Sequence, residues 1–121
     1  MNPAVWAGVM VLGGVGAVAR FMVDRAVSRR VGRPFPFGTL AVNISGSVIL
    51  GFLSGLALSH EVALLAGTSL IGAYTTFSTW MLETHRLAEE RQIGPAVANI
   101  VVSVVLGIAA ALSGQWIAGL L

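Results

Sequence analysis

Charge along this chain is confined to three places: six charged residues between Arg20 and Arg33, Glu61 alone, and five between Glu83 and Arg91. The windows between them, residues 1–19, 34–60, 62–82 and 92–121, hold no charge and are 19, 27, 21 and 30 residues long. A helix needs roughly 20 apolar residues to cross a bilayer, so the pattern predicts four membrane-spanning helices, at about 3–23, 38–58, 62–82 and 96–121. All four belong to one domain, with no internal repeat and no low-complexity segment.

Punctuation supports these limits. Asn2-Pro3 is a cap followed by proline in the first turn. The arginine-rich segment 24–37 ends in Pro34-Phe35-Pro36-Phe37, where each proline biases the residue before it away from helix. A turn is predicted at Ser59-His60-Glu61. Residues 83–92 read as a polar helical extension of the third span, since Glu83, Arg86, Glu89 and Glu90 recur at three- and four-residue spacings, and Gly94-Pro95 is expected to break it. Trp116 suits the interface at the end of the fourth span.

Composition agrees and removes several classes. Of 121 residues, 56% are hydrophobic and 10% charged, which is foreign to a soluble domain. The net charge of +2 does not indicate nucleic acid, because six of the seven arginines lie in the two segments that flank spans, without interleaved aromatics. The absence of cysteine excludes disulfides, thiolate metal sites and a cysteine nucleophile. The first window reads as a retained helix and not a secretory signal, since no basic residue precedes it. Gly14 to Ala19 spells a GxGxxA string, but inside an apolar helix with no strand before it, so no nucleotide site follows. His60 and His85 lack a second ligand at metal spacing and read as surface residues, and no pair of catalytic carboxylates is present.

The fifteen glycines make small-xxx-small faces, with Gly8, Gly13, Gly14 and Gly16 in the first span and Ser47, Gly51 and Gly55 in the second; packing within a bundle explains most of them. The polar residues inside the windows say more, because a polar group in hydrocarbon needs a partner or a purpose. Thr39, Asn43 and Ser47 form one stripe on the second span, and Asn99, Ser103 and Gly107 another on the fourth. Inter-helix hydrogen bonding accounts for any one of them, whereas two parallel stripes favour a pathway. In the third span, Gly72-Ala73-Tyr74-Thr75-Thr76-Phe77-Ser78-Thr79-Trp80 crowds four hydroxyls into five residues at mid-membrane depth, which predicts a break in the helix near its middle. Arg20 either snorkels to the interface or holds positive potential at the mouth of an anion path, and Glu83 is expected to pair with an arginine of the first linker or of a partner subunit. A lining of amide and hydroxyl donors and aromatic edges, without an acidic ring, selects a small, strongly hydrated anion.

Together, GGVGAVARF at 13–21, GTLAVNISG at 38–46 and GAYTTFSTW at 72–80 resemble the Fluc (CrcB) fluoride channels over the full length of the chain. That resemblance implies an all-α membrane protein of four transmembrane helices, the third broken, paired as an antiparallel, inverted dimer with two fluoride pores. It implies passive export of fluoride across the cell membrane, no enzyme activity, and a structural sodium ion held by backbone carbonyls at Gly72 and Thr75. Carried over by position, Asn43 is the pore asparagine, Phe77 the first ring of an aromatic box, Thr39 and Ser103 lie on a polar track, Ser78 and Thr79 near the lining, and Arg20 at the vestibule. Trp80 stands where a second phenylalanine is usual, Asn99 where tyrosine is frequent, and Ala73 where a second glycine is common. The other readings are a small multidrug exporter, which would need an acidic residue inside the first span, and a non-transporting membrane assembly subunit, which leaves Thr75 to Thr79 without a role. Six arginines lie on the side of the two linkers and none on the side of the termini. The positive-inside rule therefore predicts a single orientation with both linkers cytoplasmic, and sets a heterodimer with an oppositely oriented homologue beside the homodimer of inverted copies.

Overall fold

The computed structural model describes residues 2–32 and 34–121. Arg33, one of the six flanking arginines, lies outside the described residues.

Helix α1, Pro3–Val31, begins where the Asn2 side chain accepts the Val5 N–H at 2.9 Å, with Pro3 in the first turn. It ends at Gly32, whose left-handed conformation (φ 60°) sends its N–H back to the Ser28 carbonyl. The helix thus continues eight residues past 23. Charge marks where the apolar stretch stops, whereas a helix stops where a residue prevents it from continuing, and none does so before Gly32.

Helix α2, Phe37–Ser54, has no side-chain cap, but the Asp24 carboxylate and the Ser28 hydroxyl of α1 crowd against Gly38 in its first turn so closely that a Cβ there would overlap both. A carboxylate at that end complements the helix dipole. The helix ends at Ser54, and Ser59 then caps α3, His60–Ala63, by accepting the Val62 N–H at 3.3 Å. The chain therefore turns at 55–59, earlier than the predicted Ser59-His60-Glu61.

The third span, His60–Glu89, is built from pieces. After α3 come π-helical turns over Leu64–Ile71, then the single turn α4, Gly72–Tyr74, then three non-helical residues of which Thr75 is extended (φ −79°, ψ 160°), and finally α5, Ser78–Glu89. The span is bent near its middle, as the hydroxyl run predicted. The next turn falls at Glu90 to Gln92, where Arg91 takes a left-handed φ of 60°. Helix α6, Ile93–Gly119, already contains Gly94 and Pro95. Those two residues start the fourth span instead of ending the third, because proline lacks only an N–H that the first turn leaves unused.

Helices α2 and α6 pack most extensively. A Cβ at Gly51 would overlap the Ala111 carbonyl, and one at Gly114 would overlap the Val48 carbonyl and the Phe52 amide, so the two backbones touch directly. Gly16 of α1 meets the Leu70 carbonyl in the same way, whereas Gly13 and Gly14 face open space. The apolar core holds Val5, Val42, Ile71 and Leu87 with Ala96, Ala110 and Ala118 and no aromatic ring among the described residues, while Trp6, Met10, Phe21, Leu112 and Trp116 point outward. A surface this apolar is suited to lipid. Thr39, Ser69 and Asn99 are buried inside it.

Candidate functional site

The break in the third span is held open by Asn43. Its Oδ1 accepts the Thr76 N–H at 2.8 Å, and its Nδ2 donates to the Thr76 carbonyl at 2.9 Å. The carboxamide thus occupies both ends of one residue's backbone, as a neighbouring strand would. Tyr74 is tied to α2 as well, its hydroxyl lying 2.9 Å from Ser45 Oγ.

Diverting N–H groups to side chains frees carbonyls. In a continuous helix Thr76 N–H would serve the Gly72 carbonyl and Thr79 N–H the Thr75 carbonyl. Here the first goes to Asn43 and the second to Thr76 Oγ1 at 3.2 Å. Among the described residues, the carbonyls of Gly72 and Thr75 accept no hydrogen bond. Both residues line one groove of about 350 Å³, together with Thr68. Thr75 itself turns its hydroxyl back to the Ile71 carbonyl at 3.1 Å.

Two further hollows flank the Asn43–Thr76 pair. The larger, about 400 Å³, is walled by Asn43, Ser47, Thr75, Phe77, Trp80 and Ser103. Phe77 and Trp80 meet there edge to face, with ring centroids 5.8 Å apart at 83°. The smaller, about 240 Å³, is walled by Arg20, Asp24, Thr39 and Thr79, and Thr76 belongs to the wall of both. Thr39, 2% exposed, donates its hydroxyl to Glu83.

Most of the residues singled out from the sequence therefore converge on the break: Asn43, Phe77, Trp80 and Ser103 on the larger hollow, Arg20, Thr39 and Thr79 on the smaller, Gly72 and Thr75 on the groove. Two lie elsewhere. Ser78 is exposed and lines none of the three. Asn99 is buried between α5 and α6, where its Nδ2 donates to Thr84 Oγ1 at 2.9 Å. Thr76 and Ser47 also line the larger hollow, though neither was carried over as a pore position. Thr76 sat inside the hydroxyl run and Ser47 on the second-span stripe, so the signal was present, but which hydroxyl faces a hollow depends on how the break rotates the chain.

The family model described as "CrcB-like protein, Camphor Resistance (CrcB)" matches residues 7–115. The chain belongs to the CrcB family. Its relatives include a Mycobacterium tuberculosis protein named fluoride-specific ion channel FluC 2, 69% identical over 118 residues that cover 98% of this chain and 94% of the relative. A FluC 2 of Mycolicibacterium paratuberculosis is 70% identical over 117 residues, covering 97% and 96%, and a FluC 1 of Leifsonia xyli is 43% identical over 124 residues, covering 99% and 90%. This CrcB chain has four helices long and apolar enough to cross a membrane, and is a multi-pass membrane protein. The match takes in all the residues that surround the break, from Arg20 to Ser103.

Proposed function

We propose that the chain is a fluoride-selective channel of the cell membrane that lets cytoplasmic fluoride leave passively, and that it performs transport without catalysis. The observation that carries this reading is the pair of polar hollows meeting at Thr76, on a break held by Asn43, in a chain about 70% identical to proteins named fluoride-specific ion channels. Asn43 has one amide hydrogen left after bonding Thr76, and Ser103 adds a hydroxyl on the same hollow, whereas Ser47 spends its hydrogen on the Asn43 carbonyl at 2.7 Å; neutral donors thus replace part of an anion's water shell. Ring edges of Phe77 and Trp80 supply partial positive charge where the hollow is aromatic. Arg20 raises the potential at the smaller hollow, and Thr39 and Thr79 continue the polar wall there.

The working unit is an inverted dimer with two paths. A structural sodium ion on its axis would be held by the main-chain oxygens of Gly72 and Thr75 from each subunit, and the absence of a hydrogen bond to either carbonyl supports that assignment. The wall of their groove contains no carboxylate, which favours a monovalent cation over a divalent one. The ion's contribution is to neutralise these oxygens in a water-poor interior. Fluoride and chloride efflux from liposomes that hold only the purified chain, with labelled sodium followed in parallel, tests the reading. Fluoride efflux without chloride or stoichiometric sodium movement is expected; equal passage of chloride overturns selectivity, and coupled sodium makes the protein a symporter.

The arginine distribution favours a second assembly. Arg25, Arg29 and Arg30 sit near the end of α1, and Arg86 and Arg91 at the end of α5. The Asp24–Gly38 and Thr39–Glu83 contacts bring those two ends to one side of the bundle. Among the described residues none of these arginines forms an ion pair. A chain so biased is expected to insert one way only, with this side in the cytoplasm, and to pair with an oppositely biased homologue. Tags on the two linkers separate the cases, since equal exposure on both sides of the membrane supports the homodimer.

A further inference from the structure

Trp80, Thr84 and Asn99 form a closed circuit of hydrogen bonds behind the aromatic wall. The Trp80 indole Nε1 donates to the Asn99 carbonyl at 3.0 Å, Asn99 Nδ2 donates to Thr84 Oγ1 at 2.9 Å, and Thr84 Oγ1 donates to the Trp80 carbonyl at 2.8 Å. One turn of α5 and one residue of α6 are thereby locked together, with Asn99 1% exposed. The remaining acceptor, Asn99 Oδ1, is buried without a partner. A buried amide that leaves one end unsatisfied is an expensive way to join two helices, and it calls for a reason beyond packing.

The reason lies on the other side of the indole. Trp80 shares the larger hollow with Phe77, which is 70% exposed and whose ring has no polar atom to bond, so one ring is fastened by a hydrogen bond and the other is not. Indole carries a single donor, far stronger than a ring C–H. Facing the hollow, that N–H would hold a small anion tightly, and conduction requires that an ion also leave. The circuit spends it on the Asn99 carbonyl, so an anion in this part of the hollow meets only carbon-bound hydrogens of Trp80.

We propose that Asn99 and Thr84 are positioning residues for Trp80: they fasten the indole as a fixed wall of the anion path and turn its N–H away from the passing ion. This rests on the channel reading for its transport consequence, though the fastening itself does not.

Thr84→Val removes the hydroxyl at nearly constant shape and breaks two of the three bonds, whereas Thr84→Ser keeps them. With Trp6 and Trp116 replaced by phenylalanine, Trp80 is the sole tryptophan, and the resonance Raman band that reports indole N–H hydrogen bonding can be read on purified protein without any transport. The expected result is a shift toward the unbonded position in Thr84→Val and none in Thr84→Ser. Fluoride efflux should fall about tenfold in Thr84→Val, with saturation at lower fluoride, and recover in Thr84→Ser. When Trp80→Phe is the background, where no N–H can be released, the further loss caused by Thr84→Val should shrink to less than about twofold. An unchanged Raman band in Thr84→Val overturns the proposal, as does a tenfold loss that persists in the Trp80→Phe background. Should the unmodified chain pass no fluoride, the channel reading fails, while the Raman comparison still decides whether Asn99 and Thr84 fasten the ring.

Discussion

The α2–α6 contact and the third span are both apolar enough to lie in a membrane, and have opposite designs. Between α2 and α6, glycines at 51 and 114 bring backbone against backbone, and each helix runs without a break along the contact. The third span abandons regular helix for three residues, and its backbone N–H groups are taken by side chains from within the break and from α2. The first arrangement makes a rigid support. The second leaves polar groups unspent inside a membrane protein, which is worthwhile only where something polar must be accommodated.

The contrast can be broken most severely at the support. Gly114→Val places a side chain against the Val48 carbonyl and the Phe52 amide, neither of which can move without parting the helices, and should destabilise the chain by about 3 kcal/mol or more. Thermal unfolding in detergent measures this; an unchanged midpoint would show that the backbones are not in contact. At the break, Asn43→Asp replaces the Nδ2 donor to the Thr76 carbonyl by an oxygen and brings a negative charge to the proposed path. Fluoride efflux should drop by about a hundredfold while the fold survives, a separation that circular dichroism beside flux would register.

A smaller effect distinguishes glycines within α1. Gly16→Ala meets the Leu70 carbonyl and should cost about 2 kcal/mol, while Gly13→Ala, with nothing in reach, should gain about 0.5 kcal/mol through helix propensity. Equal values for the two would mean that α1 does not pack on the π-helical turns through Gly16.

That pair also marks how far the sequence could be read. Four spans followed from where charge is absent, and the bend in the third from four hydroxyls in five residues, because both depend on composition along the chain. The ends of helices did not follow in the same way: Arg and Ser continue α1 to Val31, and Gly94-Pro95 sits comfortably in the first turn of α6. Nor could the chain reveal that Gly16 is covered while Gly13 and Gly14 are bare, that Glu83 answers to Thr39, or that Asn99 turns toward Thr84. Each of these depends on the rotation of one helix about its axis relative to another. Small-residue and polar stripes say that a helix has a preferred face, and only packing says which neighbour receives it.

Thr76 forms part of the wall of both hollows, and its amide and carbonyl are both committed to Asn43. On the channel reading, an occupant of one hollow that displaces Thr76 would strain the same two bonds that shape the other hollow. The two occupancies would then be thermodynamically linked, and by reciprocity each would alter the other's affinity by the same factor. Successive ions along such a path would not bind independently: the arrival of one at Arg20 would be felt at Phe77 as a changed affinity, through the two peptide groups that flank a single residue.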